Sequence, residues 1–404
     1  MIDSKNKKIQ ILHIIPYGNL YPPMNGGQLR CFHLMDQLSK YFEIDVLSYQ
    51  SPNSFLDRGY ENENITFYSP NSFVKNESVF KYLPKKTKNA LRYRWLTKTI
   101  FESATQEVLE FEHVIEKLHK ENTYNWVVFE HLSAMSLIPI IKQYFPKAKY
   151  VLDAHNVDHL LIKPTSVNSK YYKKTRKLES TLFKHVHEFW ACSKNDVDIL
   201  EQLNANKIRG KVVPNGVDIH TKSYVEHKSD TYSTILFCGT LDASPNKEGI
   251  LWFYNNVWSI VKANKPNIKL LVVGKGDKRP FRDLELDPQI DVIGEVDDVA
   301  PYYRESFIAI VPLLSGSGTR LKILEAMSFG NPIVTTSKGI EGIEYEIGTH
   351  ALVANNIEDF SSNIIQILNA PNIGEELRIN AYKLVKNKYD WSIIVNNLIE
   401  EYEI

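Results

Sequence analysis

The stretch "LLSGSGTRLKILEAMSFGNPIVTT" (residues 313–336) decides how this chain reads. A glycine-punctuated loop runs into a short helix, a Gly-Asn-Pro stop closes it, and a β-branched strand follows. A helix start leaves backbone N–H groups without intrahelical partners at the positive end of the peptide dipole, which makes an anion site. Here the amides of Arg320, Leu321 and Lys322 occupy that start, and the two cationic side chains would neutralise what they hold, so the expected ligand bears phosphate. Glu325, one turn further on, would repel a phosphate. It fits beside such a ligand by binding hydroxyls, as a ribose diol offers.

Upstream and downstream of this stretch, short apolar runs bounded by Gly or Pro alternate with helical periodicity. They run "STILFCGTL", helix "EGILWFYNNVWSIVKAN", "IKLLVVGKG", "IDVIGEV", helix "DVAPYYRES", "FIAIVPLL", then the opening stretch, "HALVAN" and closing helices from Ile357. The N-terminal half has the same grammar: "IQILHIIPYG", helix "NGGQLRCFHLMDQLSKYF", "EIDVLSYQ", "NWVVFEH", "KYVLDAHN", "HEFWACS" and "GKVVPNG". Such runs suit fully covered parallel strands, so the expected fold is α/β: two Rossmann-like, doubly wound parallel-sheet domains in tandem. Ligands of such sheets lie outside the strand C-termini, and two facing sheets would make one cleft.

The bulk numbers agree with this division. The 404 residues suit about two domains, and 43% apolar with 24% charged content is that of a globular protein. No apolar run reaches a membrane-spanning length and "MIDSKNKKIQ" lacks a signal-peptide core, so a cytoplasmic protein is expected. Cys31, Cys192 and Cys238 are widely spaced and read as small buried apolar groups rather than a disulfide or zinc framework. Net charge is zero but uneven: residues 1–215 carry 30 Lys and Arg against 22 Asp and Glu, and the remainder 18 against 26. Residues 81–100 hold seven bases and no acid, and residues 163–177 add a second basic, tyrosine-containing cluster. Both are either solvated surface or a seat for anionic lipid. No nucleic-acid recognition fold accompanies the charge.

Six segments in register, "PYGNLYPPMNGGQLR", "KVVPNGVD", "LFCGTL....PNKEG", "LLVVGKGD", "VIGEVDDVAPYY" and "GTRLKILEAMSFGNPIVTT", resemble the family-4 retaining glycosyltransferases of the GT-B fold over nearly the whole chain. The resemblance implies metal-independent transfer of a sugar from a nucleotide-sugar (UDP- or GDP-sugar) to a glycan or lipid-linked acceptor, with retention, in surface polysaccharide or lipopolysaccharide assembly. It implies no cofactor and no metal. It further implies an acceptor domain over 1–215, a nucleotide-sugar domain over 216–386, and a helix over 387–404 crossing back to the first domain, with Pro214 to Gly216 as hinge.

Carried over position by position, Gly26 and Gly27 let the backbone approach the donor diphosphate, and His131 lies beside the transferred sugar. Gly239 and Thr240 meet phosphate again, and Gly274 and Gly276 border the nucleotide. Ile293, Gly294, Glu295 and Val296 flank the base; Gly318, Thr319 and Leu321 belong to the diphosphate loop; Glu325 holds the ribose. Asp153 and His155, at a strand end, are candidates for holding the acceptor. Two departures stand out. Ser317 occupies the position of a family glutamate, and the usual arginine and lysine after the first C-domain strand are reduced to Lys247. Arg320 and Lys322 are expected to supply the missing charge. "DVD" (residues 196–198) falls in a helical pattern, where residues two apart do not share a face, so it is not read as a metal site. Competing readings are a nucleotide-sugar 2-epimerase of the same fold, and a non-catalytic nucleotide-sugar-binding partner.

Overall fold

A computed structural model describes residues 9–15, 20–23, 25–70, 104–162, 170–220, 224, 233–316 and 318–402. The basic stretch 81–100, part of the cluster 163–177, and Ser317 lie outside the described residues. The chain divides into two compact units, Met1–Val213 and Pro214–Ile404.

The first unit runs β1 (Gln10–Ile14), α1 (Gly26–Leu38), β2 (Glu43–Leu47), β3 (Ile65–Tyr68), α2 (Ala104–Glu121), β4 (Trp126–Glu130), α3 (Ile138–Tyr144), β5 (Lys149–Ala154), α4 (Lys170–Leu182), β6 (Glu188–Ala191), α5 (Lys194–Leu203) and β7 (Gly210–Val212). Its seven strands pair in parallel in the order β3-β2-β1-β4-β5-β6-β7. Strands β4 to β6 are buried almost throughout, as parallel strands covered by helices on both faces must be. Gly26 and Gly27 form the first turn of α1, where the Asn25 side chain caps the Gln28 amide at 3.0 Å.

The second unit runs β8 (Thr234–Cys238), α6 (Ser244–Phe253, prolonged through a π turn to Asn264), β9 (Lys269–Val273), β10 (Ile290–Gly294), α7 (Ala300–Glu305), β11 (Ile308–Val311), α8 (Leu321–Phe329), β12 (Ile333–Thr335), β13 (Leu352–Val353), α9 (Ile357–Asn369), α10 (Pro371–Leu384) and α11 (Trp391–Glu400). Six parallel strands are ordered β10-β9-β8-β11-β12-β13. Apolar clusters cover both faces, one built on Phe253, Trp258 and Phe360, the other on Tyr303, Met327 and Phe329. Gly330 ends α8 in the left-handed conformation and Asn331 donates to the carbonyls behind α7, so the Gly-Asn-Pro stop of the sequence is a C-cap with an anchor. The last helix is tied to the unit's start: Val217 pairs with Asp390, and Trp391 N donates to Val217 O at 3.3 Å.

In each sheet the strand order reverses once, at β1/β4 and at β8/β11, and such switch points open a crevice at the strand C-termini. The sites follow from those two positions.

Candidate functional site

In the first unit, β4 and β5 lie in register so that Glu130 faces Asp153 as a cross-strand partner. Both carboxylates are fully buried, and α1 brings Arg30 and Cys31 over them. Arg30 holds Asp153 through Nε to Oδ2 at 2.8 Å and Nη2 to Oδ1 at 2.6 Å, and its Nη1 donates to Val213 O at 2.8 Å. Glu130 takes His13 on one oxygen, and His155 Nε2 at 2.7 Å and Cys31 Sγ at 3.2 Å on the other. Burial works to raise Glu130, yet the two imidazoles outweigh it and hold the carboxyl well below its ordinary range. Burial beside Glu130 pushes the Cys31 thiol up.

Cys31, Glu130 and His155 bring three donor types within metal-ligand range. Their atoms hydrogen-bond one another, however, and the Glu130–His155 separation of 2.7 Å is that of a hydrogen bond, shorter than the spacing of two ligands around one ion. Cys31 is thus a polar member of the network rather than a small apolar filler. In the "DVD" run, Asp196 accepts from Ser193 Oγ and Asp198 from Lys194, so the two acids serve different partners.

His131 follows Glu130 directly and adopts a left-handed backbone, φ 66°, uncommon for a side chain of this size. Its Nε2 lies 3.4 Å from Asp158 Oδ1 and its Nδ1 3.2 Å from Ser133 Oγ. Burial opposes its charge, but Asp158 prevails and raises its pKa. Asp158 in turn sits on a short helical turn whose amides at Asp158 and His159 donate to Glu179 of α4, at 2.6 and 3.2 Å. Burial next to Asp158 lifts the Glu179 carboxyl to about 8. A small hollow is lined by His131, His155, Asn156, Asp158 and Glu179. Sequence reading singled out His131, Asp153 and His155 and missed Arg30, Glu130, Asp158 and Glu179.

In the second unit the ends of three strands lie side by side. Gly239 N donates to Val273 O at 2.9 Å and Gly274 N to Gly294 O at 2.8 Å, which links the ends of β8, β9 and β10. A Cβ on Gly274 would stand 2.0 Å from Gly239 O, so only glycine permits this approach. Gly276 lies against Asp242, Gly294 against Lys278, and Thr319 against Gly342. Glu295 pairs with Lys275 at 3.1 Å on an exposed edge beside Ile293. Thr240 O accepts from Asn246 at 2.7 Å.

The β11–α8 loop, with Gly318 at φ 81°, delivers Arg320 to the N-cap of α8, where its own side chain makes no capping hydrogen bond. Lys322, on the first turn, sends its ammonium back to the end of β8. Nζ lies 4.9 Å over the Phe237 ring, donates to Asn246 Oδ1 at 2.6 Å, and would touch a Cβ on Gly239 at 2.4 Å. Burial pulls Lys322 down to about 8. Lys247, by contrast, is exposed on α6. Glu325 is half-buried and accepts from Tyr303 Oη at 3.3 Å. Glycines, a cation and a helix start therefore meet at one strand edge, which can hold a diphosphate.

Residues 232–370 match the family described as Glycosyl transferases group 1. A 44.6 kDa protein in the cps region of Klebsiella pneumoniae is 23% identical over 94% of this chain and 97% of its own length. Sucrose-phosphate synthase from Thermosynechococcus elongatus superposes with a TM-score of 0.73 at 15% identity, over 98% of both chains. Anabaena HepE, solved in complex with UDP, superposes at 0.68 and 13% identity, over 98% of this chain and 100% of that one. Among the described residues no helix is long and apolar enough to cross a membrane. The chain has the GT-B fold, with two Rossmann-like parallel-sheet domains, and residues 232–370 of its second unit match the group 1 glycosyl transferases.

Proposed function

We propose that this protein is a metal-independent, retaining glycosyltransferase that takes a sugar from a UDP- or GDP-sugar to a glycan or lipid-linked acceptor in surface polysaccharide assembly. The observation that carries this reading is Lys322: a cation enclosed at the glycine-lined end of β8, bonded to a neutral amide, beside the start of α8. A nucleoside diphosphate is the ligand that such a place satisfies, and the family-4 resemblance assigns it as a leaving group.

In this mechanism the amides of Arg320, Leu321 and Lys322, with both side-chain cations, offset the charge that grows on the departing diphosphate. Gly239, Thr240, Gly274, Gly276, Gly318 and Thr319 let backbone approach it. Ile293, Gly294 and Glu295 border the base, and Glu325, steadied by Tyr303, takes the ribose hydroxyls. His131 sits beside the transferred sugar with Asp158 fixing its ring. The family-4 resemblance assigns Gly26 and Gly27 to backbone contact with the donor diphosphate. Asp153 and His155 serve the acceptor indirectly, through the buried network that shapes the hollow around His131. Lys247 has at most a peripheral part. No carboxylate is assigned as nucleophile, so the leaving phosphate assists deprotonation of the acceptor hydroxyl on the same face. The basic clusters at 81–100 and 163–177 are the proposed contact with anionic lipid at the cytoplasmic face of the membrane.

Incubation with a panel of UDP- and GDP-sugars, with and without glycan or polyprenyl-linked acceptors, tests the proposal. The expected result is a transfer product of unchanged anomeric configuration, formed in EDTA. An epimerised nucleotide-sugar, or binding with no turnover, overturns it.

A further inference from the structure

Lys322 raises a question that the glycosyltransferase reading leaves open. An ammonium removed from water needs a partner, and among the described residues no carboxylate lies within ion-pair distance of it. Its partner is Asn246, which is 8% exposed and lies in the first turn of α6. The carboxamide is fixed at both ends: Nδ2 donates to Thr240 O at 2.7 Å, and Oδ1 accepts from Lys322 Nζ at 2.6 Å. Reversing the amide would set two donors against the ammonium and two acceptors together, so the surroundings fix its orientation. Asn246 therefore locks the β8–α6 turn to the cation at the strand end. An aspartate of the same shape would neutralise that cation; asparagine aims it and leaves its charge for an anion.

We infer that Asn246 is a positioning residue for the donor diphosphate, holding the Lys322 ammonium at the end of β8 with no carboxylate bonded to it. The inference rests on the placing of the diphosphate at Lys322. Among the described residues, the other ionisable groups that act on Lys322 are Cys238 at the end of β8, Arg320 before α8 and Glu325 one turn along it. Glu325 is turned to Tyr303, and Arg320 adds positive charge, so neither replaces the amide.

The test is calorimetric titration of the full chain with UDP and with GDP, from about pH 7 to about pH 9.5, across the range in which a buried lysine loses its proton. Wild type should lose affinity as pH rises through the Lys322 titration. Asn246→Ala should weaken the preferred nucleotide roughly tenfold, the scale of one lost hydrogen bond to a charged group, and move that pH midpoint down. Asn246→Asp, which preserves shape, should weaken binding at least as much and move the midpoint up. Far-UV circular dichroism and thermal melting verify that each variant is folded. If Lys322→Ala binds as wild type does, the placing of the diphosphate fails. If Lys322→Ala is impaired while Asn246→Asp keeps both affinity and midpoint, the inference about Asn246 is overturned and the placing survives. A loss of affinity with an unmoved midpoint in both Asn246 variants also overturns it, because a structural role alone gives that pattern.

Discussion

Arg30 and Asp153 face each other across 123 residues of sequence, joined by two parallel hydrogen bonds of 2.8 and 2.6 Å, with neither side chain more than 1% exposed. A pair so deeply buried is costly to break from one side, because the survivor keeps its charge without water or partner. Asp153→Ala should lower the stability of the first unit by about 3–5 kcal/mol. Asp153→Asn, which retains one acceptor oxygen, should cost less, and Arg30→Lys should not restore the forked geometry. Urea unfolding followed by hydrogen exchange on β5 measures each variant. Any effect of Asp153 on acceptor affinity has to be read after this loss is accounted for.

Glu130 leads to a pH dependence of definite sign. Burial alone would raise its carboxyl, but His13 and His155 hold it well below the ordinary value. A carboxyl depressed in the folded state contributes stability above the unfolded pKa, near pH 4, and loses it as pH falls through the folded value. Glu130→Gln should therefore be destabilised by about 2–4 kcal/mol at neutral pH, the cost of breaking a buried charge network. The gap to wild type should close below about pH 4. Amide exchange on β4 at several pH values measures it. A gap that stays constant down to about pH 3 would mean that shape rather than charge holds the network.

The two sheets were legible because covered parallel strands announce themselves locally, as β-branched runs between Gly and Pro. β3, "ITFY", was not: it is an edge strand whose residues beyond Ile65 are exposed or only partly buried, so no continuous apolar run marks it. Helix α6 was legible, but not the π turn at Tyr254–Trp258 that carries it on to Asn264. In the second unit, glycine spacing betrayed the strand ends, since close backbone approach leaves a residue-type signature. The buried charges of the first unit left none. Glu130 and His13 each look like a single polar residue in an apolar run, and their contact spans 117 positions. Arg30, a charged residue among the inward positions of α1, is the one signal that could have been followed. Lys322 was read as a cation near the phosphate, but its aim at β8 depends on Gly239 and Asn246, which no local pattern joins to it.

His131 and Asp158 make a pair testable by spectroscopy. Burial works against the imidazolium, and Asp158 at 3.4 Å outweighs it, so the folded pKa lies above the unfolded value. The pair's stabilisation is then complete below the unfolded histidine pKa and disappears as pH rises through the folded one. Asp158→Asn removes the raising influence and leaves burial. Its His131 midpoint, followed by proton NMR of the ring, should fall below that of wild type. An unchanged midpoint would assign the raised value to Glu130 and Asp153 instead.

Lys322 should trade stability for binding. Its folded pKa of about 8 lies below the ordinary lysine value of 10.5, so keeping the ammonium charged in this place costs free energy at neutral pH. The linkage runs opposite to that of Glu130: the penalty is complete below the folded pKa and fades as pH rises toward the unfolded one. Lys322→Met fills similar volume without the charge. At about pH 7 it should stabilise the second unit by roughly 1–3 kcal/mol, a range discounted from about 1.4 kcal/mol per pKa unit because part of the residue is exposed. The gain should shrink above about pH 9 as the wild-type lysine discharges. On the proposed placing of the diphosphate, the same variant should lose nucleoside diphosphate binding. Thermal melts of both proteins at neutral and alkaline pH, with and without UDP or GDP, measure the two effects together. Wild type should gain from the nucleotide and the methionine variant should not. A variant less stable than wild type at neutral pH would show that the contacts with Asn246 and Phe237 exceed the desolvation cost, and that the site is not strained in the absence of ligand.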